Sequence, residues 1–424
     1  MKSTYLSFQP ISLNENTIDK RINPIKRHIA LYVHIPFCEK KCFYCSIYTK
    51  QNINIDFFDE YIAALRSELI SIGLKDLHSV RCVHIGGGTP SILNIEQLKK
   101  FIAILKENIP NFDSIEKVFE ANTHSMTYEK IDLLASFKNF TLNFGIQTFD
   151  DTIIKEINRQ SSSKEIINTL RYAVNKGFRS IGIDLIAGLP KSNLKTCLND
   201  IEIVTNLNID HIALYPLRIE PHTVFFAKKN EYESMIPDDS TLCKIIEKCN
   251  AKLKDSGYEQ YSIFHYTSLN ILSHQYGREQ LYGLEWIGIG AGAYSYVNSY
   301  SYRNVEKPEL YTEAIKLSGS ASECIKKMNY TQKISHELLY RIRLGEISKT
   351  EVVESYGLYG VHFIECLRLM IEKGYIVELD DILYLTSLGI IYIGDVEKNI
   401  TLYFNSIHEN IINKLVPIHS LVNT

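Results

Sequence analysis

The feature that most constrains the fold of this chain is a repeated alternation of short apolar runs with longer amphipathic segments. Six runs have the length and composition of β-strands, and segments with helical periodicity separate them. Strands that alternate with helices pair in parallel through right-handed crossovers. The six predicted strands are Ile29–Ile35, Val80–Ile85, Lys117–Ala121, Leu142–Gln147, Ser180–Ile186 and His211–Leu217.

The segment IGIDLIAG is apolar along nearly its whole length, which is typical of a parallel strand that is covered on both faces. We therefore predict an α/β fold, a partial (β/α)6 TIM-like barrel whose functional side chains lie at the carboxyl ends of the strands. Polar or glycine-rich residues do collect where the predicted strands end. The segments are CEKKC, GGGTPS, EANTH, QTFD, Asp184 with AGLP, and LYPLRIEPHT.

Changes in pattern along the chain predict three parts. Residues 1–28 are polar and irregular, and we expect an N-terminal arm there. Residues 29–310 would form the barrel together with the glycine-rich segment WIGIGAGAYSYV, which could close it. Residues 323–424 combine helical patterns with the strand and turn pattern KGYIVELDDILYLTSLG, so we expect a smaller, α-rich, winged-helix-like C-terminal domain.

Composition excludes several classes of protein. The formal charge of -3 comes from nearly equal numbers of acidic and basic residues, and it gives no field that draws the whole protein to nucleic acid or an anionic membrane. No apolar run reaches the roughly 18 residues of a membrane span, and the N-terminus lacks the apolar core of a secretory signal. An odd number of cysteines, 9, fits a reducing compartment. We therefore expect a cytoplasmic globular protein with no membrane span and no nucleic-acid partner.

Three cysteines, Cys38, Cys42 and Cys45, stand within eight residues directly after the first predicted strand. Thiolates at this spacing favour thiophilic metals, and three ligands leave one coordination position open. The leading interpretation is a [4Fe–4S] cluster whose open iron takes a small bidentate ligand. The alternative is a structural zinc site completed by His34 or by a distant cysteine.

Residues at the other strand ends could complete a ligand pocket. The turn Gly86–Thr89 can approach a ligand closely because no Cβ stands in the way. Four polar side chains suit an amine, a carboxylate and two ribose hydroxyls: Glu120, Gln147, Arg159 and Asp184. The alternative for each is a cap or a salt bridge, and Arg159 is the strongest structural candidate. Gln147 and Asp184 lie within apolar strands, where each needs a partner.

The tyrosine-rich segment Ala293–Tyr302 has two interpretations. It could line a pocket for a planar or apolar substrate, but aromatic-rich strands more often belong to a core or an interface. The histidines His222, His265 and His274 carry no assignment from sequence.

The motifs CEKKCFYC, GGGTPS, FEANTH, GIQTFD, INRQ and DLIAGLP, in this order, closely resemble those of the radical SAM superfamily. More narrowly, the chain resembles the oxygen-independent coproporphyrinogen III oxidase-like subfamily from about Ile29 to Ser295. The resemblance implies a [4Fe–4S] cluster held by Cys38, Cys42 and Cys45, with S-adenosylmethionine chelating the open iron. It also implies reductive cleavage of S-adenosylmethionine to methionine and a 5′-deoxyadenosyl radical.

The resemblance further implies a set of contacts with S-adenosylmethionine. Tyr32 would reach it from the first strand, and Tyr44 would lie against its adenine. The remaining residues that match the family's motifs are Gly87, Gly88, Thr89, Glu120, Gln147, Arg159 and Asp184. Some members of the subfamily bind two S-adenosylmethionine molecules. An electron donor such as flavodoxin or ferredoxin would reduce the cluster, and the substrate would be a small or medium-sized organic molecule, with a tetrapyrrole among the candidates.

The subfamily contains several reactions. Coproporphyrinogen oxidases usually carry a further cysteine two places after the third, where this chain has Ile47. Haem-chaperone relatives usually show a His-Asn-x-x-Tyr-Trp signature, and the corresponding region here reads SHQYGREQLYGLEW. The IEPHT and GAGAYSY segments look like those of members that methylate or cyclopropanate carbon with two S-adenosylmethionine molecules. C-methylation or cyclopropanation is therefore the leading prediction, and the alternatives are oxidative decarboxylation of coproporphyrinogen III propionates and haem binding by a haem chaperone.

Overall fold

The computed structural model describes residues 28–51, 54–74, 80–268 and 274–415, with side chains as far as residue 407. Residues 1–27 of the predicted N-terminal arm lie outside the described residues. The strands are β1 (Ile29–Ile35), β2 (Val80–Gly87), β3 (Glu116–Ala121), β4 (Phe140–Gln147), β5 (Ser180–Ala187), β6 (His211–Pro216), β7 (Tyr258–Gln260), β8 (His265–Ser268), β9 (Glu285–Ile289), β10 (Tyr294–Val297), β11 (Tyr300–Asn304), β12 (Ser322–Lys327), β13 (Glu346–Ser348), β14 (Ile376–Leu379) and β15 (Ile382–Leu385).

The helices are α1 (Ile55–Ile72), α2 (Ile95–Asn108), α3 (Tyr128–Ala135), α4 (Asp151–Glu156), α5 (Ser163–Val174), α6 (Leu194–Asn206), α7 (Val224–Ala227), α8 (Lys229–Tyr232), α9 (Asp239–Asp255), α10 (Gln275–Gln280), α11 (Pro308–Ser318), α12 (Tyr330–Arg341), α13 (Lys349–Tyr356), α14 (Leu358–Glu372), α15 (Ser387–Ile391) and α16 (Ile393–Leu415). Short 3₁₀ turns lie at Pro90–Ile92, Glu233–Met235 and Ile342–Leu344.

Local sequence explains where the crossover helices begin and how they pack. In α2, Asn94 and Gln97 form a capping box, in which each side chain accepts from the other residue's backbone N–H. Leu98, Phe101 and Leu105 recur at helical spacing and are fully buried. Burial of each such side chain contributes about 1.5–3 kcal/mol to folding. The amphipathic pattern of α2 is therefore the reason that it covers one face of the sheet.

The six predicted strands are confirmed as β1 to β6, and every neighbouring pair among them is parallel. They form the centre of a 12-stranded sheet in the order β12-β11-β10-β9-β1-β2-β3-β4-β5-β6-β8-β7. At one side β9 pairs in parallel with β1, and at the other β8 pairs antiparallel with β6. The parallel centre with its crossover helices is the predicted α/β architecture.

The sheet curves around the segment that begins at His274. The backbone N–H of His274 donates to Glu116 Oε1 on β3 at 2.9 Å, and its ring stacks on His211 of β6 at 3.5 Å. Neighbouring strands lie about 4.8 Å apart, so β3 and β6 would be about 14 Å apart in a flat sheet. Contact of one residue with both strands is typical of a bent sheet, in agreement with the predicted partial barrel.

The chain divides into two compact units. Of the residues that the structure describes, the first unit contains those from 28 to 279 and from 284 to 326, and the second contains 280–283 and 327–415. In the second unit, β13, β15 and β14 form an antiparallel sheet with α12, α13 and α14 beside it in sequence. This arrangement agrees with the predicted winged-helix-like domain.

The core of the second unit includes Leu338 of α12 and both Phe363 and Leu367 of α14, all fully buried. Within the residues that the structure describes, no helix is both long enough and apolar enough to span a membrane.

Candidate cluster and cofactor site

The three cysteines of the predicted cluster lie on one closed loop after β1. The backbone N–H of Lys50 donates to Pro36 O at 2.8 Å, and Cys38 N–H donates to Lys50 O at 3.1 Å, so the two ends of the loop are joined. Within the loop, Cys45 N–H donates to Cys42 O at 3.2 Å. All three thiols are free and half-buried. Three soft ligands are thus held on one short segment, a donor set suited to an iron–sulfur cluster.

The glycine-rich turn after β2 holds the Cys38 side of the loop. Gly88 N–H donates to Ile35 O, and Thr89 N–H donates to Phe37 O, both at 2.8 Å. The Thr89 hydroxyl lies 3.3 Å from Cys38 Sγ. A Cβ on Gly88 would lie 2.6 Å from the backbone nitrogen of Phe37, so only glycine permits this approach.

Gly87 joins the same turn to the half-buried carboxylate of Glu120. Its φ of 103° favours glycine, and an added Cβ would lie 2.5 Å from the His34 ring. Its N–H donates to Glu120 Oε2 at 3.2 Å, while Glu120 Oε1 lies 2.8 Å from His84 Nε2. The turn and Glu120 are therefore linked by a direct hydrogen bond.

Glu120 and Asp184 have opposite pKa shifts although they lie near each other. Burial raises the pKa of Glu120, but the hydrogen bond and charge of His84, with the Gly87 N–H, outweigh it and bring the pKa below its ordinary value. Burial raises the pKa of Asp184 to about 7, and the charge of Glu120 adds to the rise. Asn143 Nδ2 is the partner that sequence required for Asp184, with distances of 3.1 and 3.2 Å to the two carboxylate oxygens.

Tyr32 lies in the interior with three other rings. Its hydroxyl is 2.9 Å from His34 Nδ1, and its ring stacks on His84 at 5.8 Å and on Tyr276 at 6.2 Å. Burial is the main reason that the pKa of His34 falls to about 4. His34 is therefore neutral at pH 7, and its ring is held by Tyr32.

Arg159 reaches the cysteine loop. One terminal nitrogen, Nη1, lies 3.4 Å from Cys42 Sγ and 3.3 Å from Tyr44 Oη, and the other donates to Gly145 O. Gln147 stands at the end of β4, 8% exposed, with a φ of 74° that is unusual for a residue with a side chain. Arg159 therefore joins Tyr44 to Cys42, whereas Thr89 contacts Cys38.

Several side chains in this region were missed by sequence interpretation. His84 contacts Glu120 and Tyr32, and Asn143 contacts Asp184. Tyr276 stacks on Tyr32 and makes a tilted ring contact with His84. Asn143 gave a usable signal, because it is a polar residue inside the apolar run FTLNFGIQ. Tyr276 gave none, because its segment reaches the interior from a distant part of the chain.

The chemistry of these groups fits the two cofactors. Although burial is the largest influence on the pKa of Glu120, 36% of its side-chain surface is accessible, so this carboxylate faces a space that a ligand can enter. Among the described residues, no set of three or more His, Cys, Asp or Glu side chains is arranged to hold a single metal ion. A cleft beside Cys42 is lined by Glu39, Lys40, Thr89, Asn122, His124, Ser125, Asn158, Arg159 and Gln160.

Comparison with known proteins identifies the family. The model of the Radical SAM superfamily matches residues 32–203. The chain is 31% identical over 365 residues to heme chaperone HemW of Bacillus subtilis, covering 85% of this chain and 96% of that protein. It is 27% identical to heme chaperone HemW of Escherichia coli, covering 86% and 96%.

Among solved structures, coproporphyrinogen III oxidase (HemN) from Escherichia coli matches with a TM-score of 0.77 at 22% identity, covering 92% of this chain and 93% of that one. This likeness shows the same fold. The superfamily uses a [4Fe–4S] cluster and S-adenosylmethionine, so zinc is replaced by the cluster as the interpretation of the three cysteines. The chain belongs to the radical SAM superfamily, in the oxygen-independent coproporphyrinogen III oxidase-like subfamily that includes the haem chaperones.

Proposed function

We propose that this chain holds its [4Fe–4S] cluster through Cys38, Cys42 and Cys45, cleaves S-adenosylmethionine reductively, and takes a tetrapyrrole, with haem the leading candidate. The observation that carries the proposal is the closed cysteine loop, whose three thiols are half-buried. Thr89 lies beside the thiol of Cys38, and Arg159 lies beside that of Cys42. The bound cluster would supply the electron that cleaves S-adenosylmethionine.

The side chains around the loop would bind and orient S-adenosylmethionine. Glu120 has a lowered pKa, so its carboxylate is charged and can accept from the amino group of the methionine part. Asp184, held by Asn143, can accept from ribose hydroxyls once it is ionised. Gly87, Gly88 and Thr89 would present backbone to the ligand, and Tyr32, Tyr44, Gln147 and Arg159 would complete the contacts, as the family's motifs imply.

Haem is favoured as the tetrapyrrole by the extent of the similarity to the haem chaperones, which covers 85% of this chain for the Bacillus subtilis protein. Ile47 stands where coproporphyrinogen oxidases usually carry a further cysteine, and its side chain is 46% exposed. This difference disfavours the decarboxylation reaction. The region SHQYGREQLYGLEW departs from the usual haem-chaperone signature, so haem binding here would use a different set of contacts.

C-methylation or cyclopropanation stays a prediction that depends on the IEPHT and GAGAYSY segments. It requires a second S-adenosylmethionine as the carbon donor, and it would make the tetrapyrrole a substrate rather than a cargo. An electron donor of the flavodoxin or ferredoxin type is part of the same proposal, because the cluster must be reduced before cleavage.

The test uses anaerobically reconstituted full-length protein, reduced and supplied with S-adenosylmethionine that carries a deuterated methyl group. Haem and coproporphyrinogen III are added in separate reactions. We expect 5′-deoxyadenosine in both, stoichiometric binding of haem by absorbance, and no loss of carbon dioxide from coproporphyrinogen III. Transfer of deuterium to the tetrapyrrole would establish methylation, and failure to bind haem would reject the haem proposal.

The matched controls for this experiment are Cys38→Ala and Cys243→Ala. Both remove a half-buried free thiol, but only Cys38 lies on the cysteine loop. We expect Cys38→Ala to abolish 5′-deoxyadenosine formation and Cys243→Ala to leave it unchanged. Equal loss in both variants would contradict the assignment of the cluster to the loop.

A further inference from the structure

Residues Ile157–Arg159, here called the loop clamp, contact four consecutive residues of the cysteine loop. Phe43 N–H donates to Ile157 O at 3.3 Å, and Asn158 Nδ2 donates to Lys41 O at 2.9 Å. Arg159 Nη1 reaches Cys42 Sγ at 3.4 Å and Tyr44 Oη at 3.3 Å. The clamp therefore touches every residue from 41 to 44.

The clamp is itself rigidly placed at the end of α4. Asn158 has a φ of 62°, a left-handed conformation that Asn tolerates better than most residues, and its N–H donates to Lys155 O at 3.1 Å. Ile157 is fully buried in a cluster with Phe225, against which Phe43 packs. The backbone turn thus aims Asn158 and Arg159 at the loop while Ile157 anchors them.

The two sides of the cysteine loop are held by different chemistry. Cys38 Sγ lies beside the neutral hydroxyl of Thr89, whereas Cys42 Sγ lies beside the guanidinium of Arg159, which is always charged. Reduction of an iron–sulfur cluster adds one negative charge, and a hydrogen bond from a nearby cation to a ligand sulfur stabilises the reduced form. A fixed positive charge at Cys42 should therefore make the cluster easier to reduce.

We propose that the loop clamp is a positioning element for the cluster: Asn158 fixes the loop at Lys41, and Arg159 raises the reduction potential through its contact with Cys42 Sγ. The inference depends on the proposed function only in that a cluster is held by the three cysteines. It gives Arg159 a role beyond the contact with S-adenosylmethionine that the family's motif implies.

The test is a redox titration of the reconstituted cluster, followed by electron paramagnetic resonance, in the absence of S-adenosylmethionine. Without that ligand, any effect of Arg159 must act through the cluster. We expect Arg159→Gln to shift the midpoint potential to a more negative value and Arg159→Lys, which keeps the charge, to shift it less. The matched control is Lys155→Gln, which removes an exposed positive charge from α4, the helix that precedes the loop clamp.

An unchanged potential in Arg159→Gln, or an equal shift in Lys155→Gln, would overturn the role of Arg159. If Arg159→Gln cannot retain its cluster, the positioning role of the loop clamp is supported. The midpoint potential of Arg159→Lys then tests the effect of the positive charge, and a value far below that of the wild type would overturn that effect. Wild-type protein that forms no cysteine-dependent cluster would overturn the proposed function as well, which separates the two failures.

Asn158→Gly tests the second contact of the clamp. Glycine keeps the left-handed backbone but removes the hydrogen bond to Lys41 O. We expect iron to be lost to a chelator several-fold faster than from the wild type, with the midpoint potential little changed. A wild-type rate of iron loss would contradict the positioning role of Asn158.

Discussion

The interior of the sheet has two halves whose polar side chains differ in origin and in chemistry. The first half, from β1 to β5, includes the carboxyl groups of Glu120 and Asp184, which belong to the motifs FEANTH and DLIAGLP. The second half, between β6 and β8, holds His211, whose Nε2 lies 2.8 Å from Tyr261 Oη, and His265, whose Nε2 lies 3.1 Å from Tyr215 Oη. His211, Tyr261 and His265 lie in none of the family motifs.

The two halves meet at one level of the sheet. Asp184 pairs with Ala213 of β6, and Ala213 pairs with His265 of β8. Burial, followed by the neighbouring His274, holds the pKa of His211 well below its ordinary value, so this ring is neutral. The first half therefore holds the charged carboxylate of Glu120, whereas His211 in the second half is a neutral ring. We expect the first half to serve the cofactors and the second to face the substrate.

The largest expected effect follows removal of a ligand from the first half. Cys42→Ala should reduce bound iron and 5′-deoxyadenosine formation to background, because two thiols cannot hold the cluster in a reactive state. Iron analysis and product analysis on the same sample measure both. A variant that keeps full iron content and activity would mean that the cluster is held elsewhere.

Gly87→Ala should destabilise the first half through a steric clash, without removing a cofactor ligand. The added Cβ would meet the His34 ring at 2.5 Å, and the φ of 103° is strained for alanine. Overpacking and the left-handed backbone together should cost about 2–5 kcal/mol of the free energy of unfolding, measured by denaturant titration.

Gly177→Ala is the control for that variant. Gly177 also has a positive φ, 75°, but a Cβ there would have no neighbour within 4 Å. Backbone strain alone should lower the free energy of unfolding of this variant by about 1–2 kcal/mol. If the two variants lost equal stability, the contact between Gly87 and His34 would not explain the requirement for glycine.

The titration of Asp184 should make the binding of S-adenosylmethionine depend on pH. Its pKa of about 7 means that the carboxyl group is largely protonated below that pH and ionised above it. Since the ionised form accepts ribose hydroxyls better, the dissociation constant should rise by up to about tenfold for each pH unit below 7. Calorimetry at pH 6 and pH 8 would measure this.

Asp184→Asn removes the titrating group while keeping a similar shape. Its affinity for S-adenosylmethionine should be lower at pH 8 and nearly the same at pH 6 and pH 8. A pH dependence in this variant equal to that of the wild type would assign the titration to another residue.

The smallest expected effect comes from the second half. His265→Ala should leave iron content unchanged and alter the affinity for S-adenosylmethionine by less than about threefold. This ring bonds to Tyr215 and Ser262, neither of which is among the predicted cofactor residues. A tenfold loss of affinity would show that the cofactor site extends across both halves.

Sequence predicted the six central strands because each is a continuous apolar run beside an amphipathic helix, and local patterns of that kind survive folding. It also predicted Glu120 and Asp184, since each lies at or within a strand whose carboxyl end faces the site. The hydrogen bond from His274 N–H to Glu116 was beyond prediction, because it joins residues 158 positions apart. No periodicity relates such residues.

Arg159 shows both what sequence could predict and what it could not. The motif INRQ marked it as functional, but sequence could not show that its guanidinium reaches Cys42 rather than the solvent. That contact depends on where α4 ends and on the left-handed backbone of Asn158, which only the folded chain fixes. Motifs therefore supplied the candidate members of the site, while the contacts of those residues depend on register and on turns.

The most direct test of the account is the amount of 5′-deoxyadenosine and methionine formed after anaerobic reduction of reconstituted protein with S-adenosylmethionine. We expect both products to form in equal amounts, and neither to form when any one of Cys38, Cys42 and Cys45 is replaced by alanine. A protein with a complete [4Fe–4S] cluster and bound S-adenosylmethionine that yields neither product would contradict this expectation.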